Sequence, residues 1–280
     1  MSFSKAADEL HVTPAAISHQ IHSLEEALGV RLFYRMNRSI ELTASARVLL
    51  PGLSEAFAEI QSSVRRLRAH NDTGTLTVTA SPSFAAKWLV LRLHRFQEQC
   101  AEVDVRISAS DDVVDLSKGD FDIAIRYGSG KYPGLDVELL FTNEVFPACS
   151  PQLLEAGPPL RTPDDLLLHA LIHDQAVERD PLVPTWPMWL KAAGVKNVPA
   201  AAGLSFNNMH LALDAAIAGH GVVLAYSTIA AADLTAGRLV RLFSLALPDQ
   251  FAYYIVTAPG ALERPKVRAF RNWLRQEANG

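Results

Sequence analysis

The stretch Thr13-Pro-Ala-Ala-Ile-Ser-His-Gln-Ile-His-Ser-Leu-Glu-Glu-Ala-Leu-Gly29 decides how the N-terminal part of this chain folds. Thr13 ahead of Pro14 is the favoured order of an N-cap and a first helical position. Ile17, Ile21, Leu24 and Leu28 then recur at spacings of four, three and four, one apolar stripe at helical period, and Gly29 stops the helix. Upstream, Ser4 is expected to cap a helix over residues 5–10, with Phe3 as a hydrophobic staple. Two helices joined by the short turn His11-Val12-Thr13 form a helix-turn-helix, and the major groove of B-DNA admits the second of them. The face opposite the apolar stripe carries Ala15, His19, His22 and Glu26, with Ser18 on the flank. Small residues and hydroxyl or imidazole groups suit close approach to base edges. Glu25 and Glu26 would be repelled by phosphate, so only the first two turns should enter the groove.

Leu32-Phe33 and Ile40-Glu41-Leu42 flank residues 36–39 as a short hairpin. Arg31, Arg35 and Arg38 run along it with no acid between them. Alone, three arginines are a solvated face; beside a helix-turn-helix they can reach phosphates or the minor groove. From Thr43 to about residue 70 the positions Ala46, Leu50, Leu53, Phe57, Ile60, Val64 and Leu67 alternate by four and three. That is an a/d seam, which a partner helix buries, so Leu50 to Leu67 are expected to dimerise the chain. The alternative is an amphipathic helix lying on its own domain. Pro51-Gly52 predicts a kink near residues 47–50.

At 280 residues, with 49% hydrophobic and 20% charged, the chain suits two compact globular domains. A net charge of -4 excludes a sequence-blind polycation. Residues 1–73 hold 8 Lys/Arg and 8 Asp/Glu, so the acidity belongs to residues 74–280. With so few local arginines, useful DNA binding should need a dimer on two half-sites. Cys100 and Cys149 have neither disulfide-framework nor metal spacing and read as small buried hydrophobes. No apolar stretch long enough for a membrane span and no signal peptide is visible, so no membrane partner and a cytoplasmic location are expected. Enzyme signals fail: Gly128-Ser-Gly-Lys131 is too short for a phosphate loop, and Thr162-Pro-Asp-Asp165 is a helix start. His169 and His173 fall on a helix end and a strand, which sends them apart. No catalytic residue, metal or cofactor is expected.

Asn71-Asp72-Thr73-Gly74 is a turn and the best domain boundary. Beyond it strands are expected at 75–80, 103–109, 121–127, 171–173, 203–206, 222–225 and 252–256. Helices are expected at 84–99, 209–218, 228–236 and 266–277. This alternation predicts an α/β parallel sheet in two lobes, residues 74–147 with 249–280 and residues 148–248. The chain would cross between them near Phe146-Pro-Ala148 and Pro248-Asp-Gln250, and closure about those hinges would shift the recognition helices. In such lobes ligands bind where strands end and helices begin. Ser81, Ser83 and Phe84 follow the first strand, Ser110 the second, Tyr127 the third, and Asn207 and Asn208 follow Phe206. Together they predict an anion grip with a polar rim, although Ser83 and Asn208 are equally good as plain helix caps.

The segment 13–35, ending Gly29-Val-Arg-Leu-Phe-Tyr-Arg35, resembles the signature of the LysR-type transcriptional regulators, in the branch of the glycine-cleavage and β-lactamase-inducing regulators. The likeness continues through Asn37-Arg38, Leu42-Thr43, Leu49-Leu-Pro51, Trp88-Leu-Val90, Asp122-Ile-Ala-Ile-Arg-Tyr-Gly128, Ala148-Cys-Ser-Pro151, Trp186-Pro-Met-Trp-Leu190 and Gly219-His-Gly221. The family implies a winged helix-turn-helix at 1–42, a linker dimerisation helix at 43–70, and a two-lobed effector domain like a periplasmic binding protein. On that pattern Pro14, Ala15, Ser18 and His19 read DNA, and Arg35 and Arg38 lie in the wing. Implied partners are double-stranded DNA, a small anionic effector, further copies of the chain (homodimer or homotetramer) and RNA polymerase. Ala44-Ser-Ala46 and Cys100-Ala101 depart from the family pattern. So does the start, which lacks the helix that covers Phe3, Ala7, Ile17 and Leu24 in the family. A misassigned start is the favoured expectation; the alternative is a ligand-sensing dimer with defective DNA binding.

Overall fold

The computed structural model describes residues 3–36, 39–71, 74–175, 182–196 and 203–279. Its contacts divide the chain into two units, Met1–Arg66 and Leu67–Gly280.

In the first unit α1 (Phe3–Glu9) and α2 (Pro14–Leu28) precede a hairpin of β1 (Phe33–Met36) and β2 (Ser39–Leu42), and α3 (Ala44–Asn71) follows. Thr13 Oγ1 accepts the Ala16 N–H at 3.2 Å, and Gly29 closes α2 in the left-handed region at φ 67. Thr43 opens α3 in the same way: its Oγ1 accepts the Ala46 N–H at 3.1 Å and donates to the Arg31 carbonyl at 2.7 Å. One buried hydroxyl thus ties the long helix to the root of the hairpin. Two local expectations need correction. Ser4 lies inside α1 and is not its cap, and Phe3 packs edge-to-face on Phe33, ring centroids 5.6 Å apart. An aromatic pair across the unit is worth more than a staple within a seven-residue helix. Ala7 is buried, Phe3 and Ile17 are half-buried, and Leu24 is exposed. The long helix runs through Pro51.

The second unit is built on β3 (Thr75–Ala80), α4 (Pro82–Phe84), α5 (Leu93–Gln99), β4 (Asp104–Ala109), β5 (Ile123–Gly128) and β6 (Asp136–Cys149). It continues with α6 (Pro151–Ala156), β7 (Leu171–Asp174), α7 (Trp186–Ala192), β8 (Ser205–Phe206), α8 (Met209–Ile217) and β9 (Val222–Tyr226). Last come α9 (Ser227–Thr235), β10 (Val240–Arg241), β11 (Leu247–Thr257) and α10 (Pro265–Asn279). Among the described residues the strands form a nine-stranded sheet in the order β4-β3-β5-β11-β6-β9-β7-β8, with β10 also on β6.

The expected all-parallel sheet is corrected to a mixed one. β3 pairs parallel with β4 and β5, and β7 parallel with β8 and β9. Between these two groups β11 and β6 run antiparallel to their neighbours. Both expected crossings therefore lie inside long strands. The 14-residue β6 escapes a sequence reading because Asn143, Glu144 and Pro147 interrupt its apolar run. The expected single helix 84–99 is also broken. The Val90 N–H reaches back five residues to the Ala85 carbonyl in a π-helical turn, and α5 starts afresh at Leu93. That wide turn stacks Phe84 on Trp88 at 4.9 Å and lays the Arg92 guanidinium over Trp88 at 4.7 Å. Behind them Phe96, Phe270 and Trp273 form a fully buried aromatic cluster. Gly221 passes so close to Ala170 that a Cβ would collide with its carbonyl oxygen. No helix of the described residues is long and apolar enough to cross a membrane.

Candidate nucleic-acid interface and effector cavity

Between the recognition helix α2 and the hairpin lies a wide surface groove of about 1,070 Å³. Ala15, Ser18, His19, His22 and Arg31 line it, as do Glu25, Glu26 and Tyr34. Five of the residues singled out for DNA reading are thus brought to one concave face. Pro14 does not line it and instead fixes the first turn of α2. Arg35 sits on β1 opposite Ile40, but its side chain and all of Arg38 lie outside the described residues.

Glu25 has a role that its charge alone hides. Its Oε1 accepts the backbone N–H groups of Leu32 at 2.7 Å and Phe33 at 3.1 Å, joining the end of α2 to the start of β1. A half-buried carboxylate bound by two amides is a structural bolt. His22 Nε2 lies 3.2 Å from Glu26 Oε1 one turn on, both exposed. Tyr34, exposed on the groove wall, is a further candidate that charge counting passed over.

On α3 Ala46 is buried, but the rest of the described seam is open: Leu50, Leu53, Phe57 and Ile60 are all exposed, Phe57 by 61%. The Val64 and Leu67 side chains lie outside the described residues.

In the second unit a cavity of about 280 Å³ is lined by Ser81, Ser83, Asp111, Tyr127, Asp174, Val183, Asn207, Asn208, Met209, Tyr226, Ile229, Phe251 and Tyr253. Five of the eight expected effector residues meet here: Ser81, Ser83, Tyr127, Asn207 and Asn208. The other three do not line it. Phe84 is buried in the aromatic core, against Trp88, Phe141 and Tyr253. Ser110 turns outward onto Asp112, Oγ to Oδ2 2.7 Å, and Phe206 gives its carbonyl to the Gln175 N–H at 2.7 Å.

Ser83 and Asn208 both sit at helix starts, but neither caps in the expected way. The Asn208 side chain makes no cap hydrogen bond. Ser83 Oγ accepts the His210 N–H at 3.1 Å and so caps α8. Its Oγ also lies 3.4 Å from His210 Nδ1, and burial lowers the pKa of that imidazole. Lys87 adds a second tie, its Nζ 2.5 Å from Asp214 of α8 and 3.2 Å from Asp233 of α9.

The floor is aromatic and polar. Tyr127 OH donates to Asp249 Oδ2 at 2.6 Å, and Asp249 Oδ1 accepts the Phe251 N–H at 3.0 Å. Burial pushes the Tyr127 phenol far up and raises the Asp249 carboxyl. The hydroxyls of Ser81 and Tyr226 are buried without a hydrogen-bond partner of good geometry. Sequence reasoning missed Asp111, Asp174, Tyr226, Phe251 and Tyr253. Asp174 and Tyr226 end strands β7 and β9, the position where such sheets present ligand groups, and Asp111 directly follows Ser110.

Elsewhere, His169 Nε2 lies 3.0 Å from the Pro158 carbonyl while His173 is buried on β7. Thr162 and Asp165 form a capping box. Cys149 is buried, which pushes its thiol up to about 11 and keeps it unreactive.

Known proteins share this architecture. Residues 1–47 match the bacterial regulatory helix-turn-helix protein, lysR family, and residues 69–279 match the LysR substrate binding domain. The glycine cleavage system transcriptional activator of Escherichia coli (strain K12) is 42% identical over 278 residues, covering 99% of this chain and 89% of that protein. The transcriptional activator AmpR of Pseudomonas aeruginosa is 34% identical over 279 residues, 99% of this chain and 91% of that one. The solved AmpR effector domain from the same organism superposes with a TM-score of 0.60 at 30% identity, covering 74% of this chain and 96% of that chain. CrgA from Neisseria meningitidis, 21% identical, shares the fold over 100% of this chain and 94% of its own with a TM-score of 0.59. The chain belongs to the LysR family and is a transcriptional regulator that couples a helix-turn-helix DNA-binding module to an effector-binding domain.

Proposed function

We propose that this regulator reads its operator with Pro14, Ala15, Ser18, His19 and His22 of the recognition helix, and that Arg31, Arg35 and Arg38 grip the flanking phosphates or minor groove. The groove that gathers Ala15, Ser18, His19, His22 and Arg31 carries this reading. Two protomers pair along Leu50, Leu53, Phe57, Ile60, Val64 and Leu67, and the exposure of the described part of that seam supports the pairing. A small effector occupies the cavity lined by Ser81, Ser83, Tyr127, Asn207 and Asn208, at the junction of a lobe 74–147 with 249–280 and a lobe 148–248. Its closure changes the spacing of the paired recognition helices. The complex acts as an activator, the role that the names of its relatives give those proteins, with RNA polymerase as a further partner. No catalytic role is assigned to any residue.

Mobility shift on DNA upstream of the gene and of its divergent neighbour tests the reading. Arg35→Glu with Arg38→Glu should abolish the shift, and the wild-type salt slope should reflect several phosphate contacts per dimer. An unchanged shift would remove the wing from the interface, and identical footprints with and without effector would remove the closure mechanism.

A further inference from the structure

We propose that Lys87 is a positioning residue. From the turn after β3 it clasps α8 and α9 of the other strand group, and so sets how far the two groups open about the strands that cross between them. This role rests on the proposed coupling of lobe movement to the recognition helices.

The two parallel groups are joined through β6 and β11, which run antiparallel between them. β11 is irregular where it crosses. Pro248 faces Glu144 and Ala252 faces Thr142, so residues 249–251 oppose Asn143 alone. A bulge of this kind interrupts the ladder and bends the strand, which suits a hinge.

Side chains make a second connection. Lys87 Nζ donates to Asp214 Oδ1 on α8 at 2.5 Å and to Asp233 Oδ2 on α9 at 3.2 Å. One turn earlier Ser83 Oγ accepts the His210 N–H of α8 at 3.1 Å. These bonds run from residues 83–87, which follow β3 of the first group, to the two helices that flank β9 of the second. The π-helical turn Ala85–Leu89 holds the lysine in place: it buries Trp88 on Phe84, while Lys87, one position earlier, turns toward α8 and α9. Wide turns of this kind recur at functional sites.

The charge balance makes this bond a clasp that can open. Asp233 is 3% exposed, and a carboxylate so buried needs a cation. Arg238 supplies one from the end of the same helix, with Nε 2.7 Å and Nη2 2.6 Å from Asp233 Oδ1, which leaves Oδ2 for Lys87. Loss of Lys87 therefore does not strand a buried charge. Asp214 is more than half exposed and is solvated whether or not the clasp is shut. Lys87, at 13% exposure, is the ion that closing desolvates, and opening returns it to water. Each side is thus stable when parted from the other, so the contact can break without unfolding either helix.

Hydrogen exchange of the full-length protein, read by mass spectrometry, tests the clasp. Lys87→Met should speed exchange by about fivefold or more at the start of α8 and in the crossing segments 143–147 and 247–252. Exchange in α10, packed in the aromatic core of the first group, should stay as in wild type. Lys87→Arg, which keeps the charge, should restore most of the protection. Asp214→Asn removes one arm at an exposed position, and should give a smaller rise in the same segments even where Lys87→Met misfolds. A rise confined to residues 83–92, an equal rise throughout the unit including α10, or no rise at all overturns the clasp. The footprint of Lys87→Met on the same DNA, without effector, separates the two readings. A footprint unlike that of wild type supports both, whereas faster exchange at the crossing with an identical footprint keeps the clasp and rejects the coupling of lobe movement to the DNA-binding module.

Discussion

Ser83, on the first turn after β3, accepts the backbone N–H of His210 at the start of α8, 3.1 Å away and 127 residues later. A serine that local sequence assigns to its own helix is therefore the cap of another. Ser83→Ala should cost about 1 kcal/mol, the usual value of a lost cap. Ser83→Thr, which keeps the oxygen, should recover most of it. Chemical denaturation of the isolated pair of variants against wild type checks this. Equal loss in both would mean that the Ser83 contact contributes no cap.

The same contact makes a pH prediction. His210 is packed against Ser83, with Asp214 and Asp111 favouring its charged form and burial, reinforced by Lys87, opposing it. Its folded-state pKa is depressed, so the unfolded chain takes up a proton first as pH falls. The contribution of neutral His210 is fully present above about 6.5 and is lost as pH drops from there through the folded value. His210→Gln should flatten that part of the stability–pH curve. An unchanged slope below pH 6.5 would show that another group is responsible.

Glu25 yields the corresponding prediction for the DNA module. Two backbone amides of the hairpin root point at one carboxylate oxygen. Glu25→Ala leaves both without an acceptor and should destabilise the first unit by about 1.5–3 kcal/mol. It should also weaken binding to any DNA, because the wing is no longer held against α2. Glu25→Gln keeps the oxygen and should sit between. If the phosphate-repulsion reading governed instead, both variants would bind DNA more tightly in a fluorescence anisotropy titration.

How much of this was legible in the sequence depends on the range of the interaction. Thr13-Pro14, Gly29 and the stripe from Ile17 to Leu28 are local signals, and the helix they describe is the one observed. The a/d positions of α3 were equally plain. The mixed sheet was not, because β6 and β11 together join the two parallel groups, β6 through pairings with residues 75 or more positions away, while its Pro147 reads locally as a break. The cavity was legible by halves. Strand-end serines and asparagines announce themselves, but Asp174 and Tyr226 reach the site only because β7 and β9 are neighbours. The Ser83 cap was hidden for the same reason, its donor lying 127 residues on, whereas the donors of Glu25 lie only seven and eight residues ahead, across the turn after α2.

Gly221 is a test of that long-range packing. Its backbone, at φ 156, lies against Ala170, and an added Cβ would strike the Ala170 carbonyl. The neighbouring Val222 N–H bonds to that same carbonyl at 2.9 Å, so the backbone cannot move away without breaking the start of the β7–β9 pairing. Gly221→Ala should destabilise the second unit by several kcal/mol, on the order of 2–4, and Gly237→Ala, with open space around it, should cost less. Urea midpoints of the two variants give the comparison, and equal losses would remove the steric account.

The seam of α3 supplies the last prediction. Leu50, Leu53, Phe57 and Ile60 present apolar surface along one side of a helix whose other described positions, apart from Ala46 and Leu49, are also open. Burying such side chains is worth roughly 1.5–3 kcal/mol each, so four per helix, doubled by symmetry, suffice for a stable pair. Phe57→Glu places like charges opposite one another at the centre of that contact. Sedimentation equilibrium should then show a monomer where the wild-type chain is at least a dimer. Binding to a two-half-site operator should fall by orders of magnitude, since each protomer carries only three arginines near its hairpin. The melting of the second unit and its ligand response should stay as in wild type, because Phe57 belongs to the first unit and the second has a hydrophobic core of its own. Loss of DNA binding with an intact dimer would instead place the helix on its own DNA-binding module, the alternative that the heptad spacing left open.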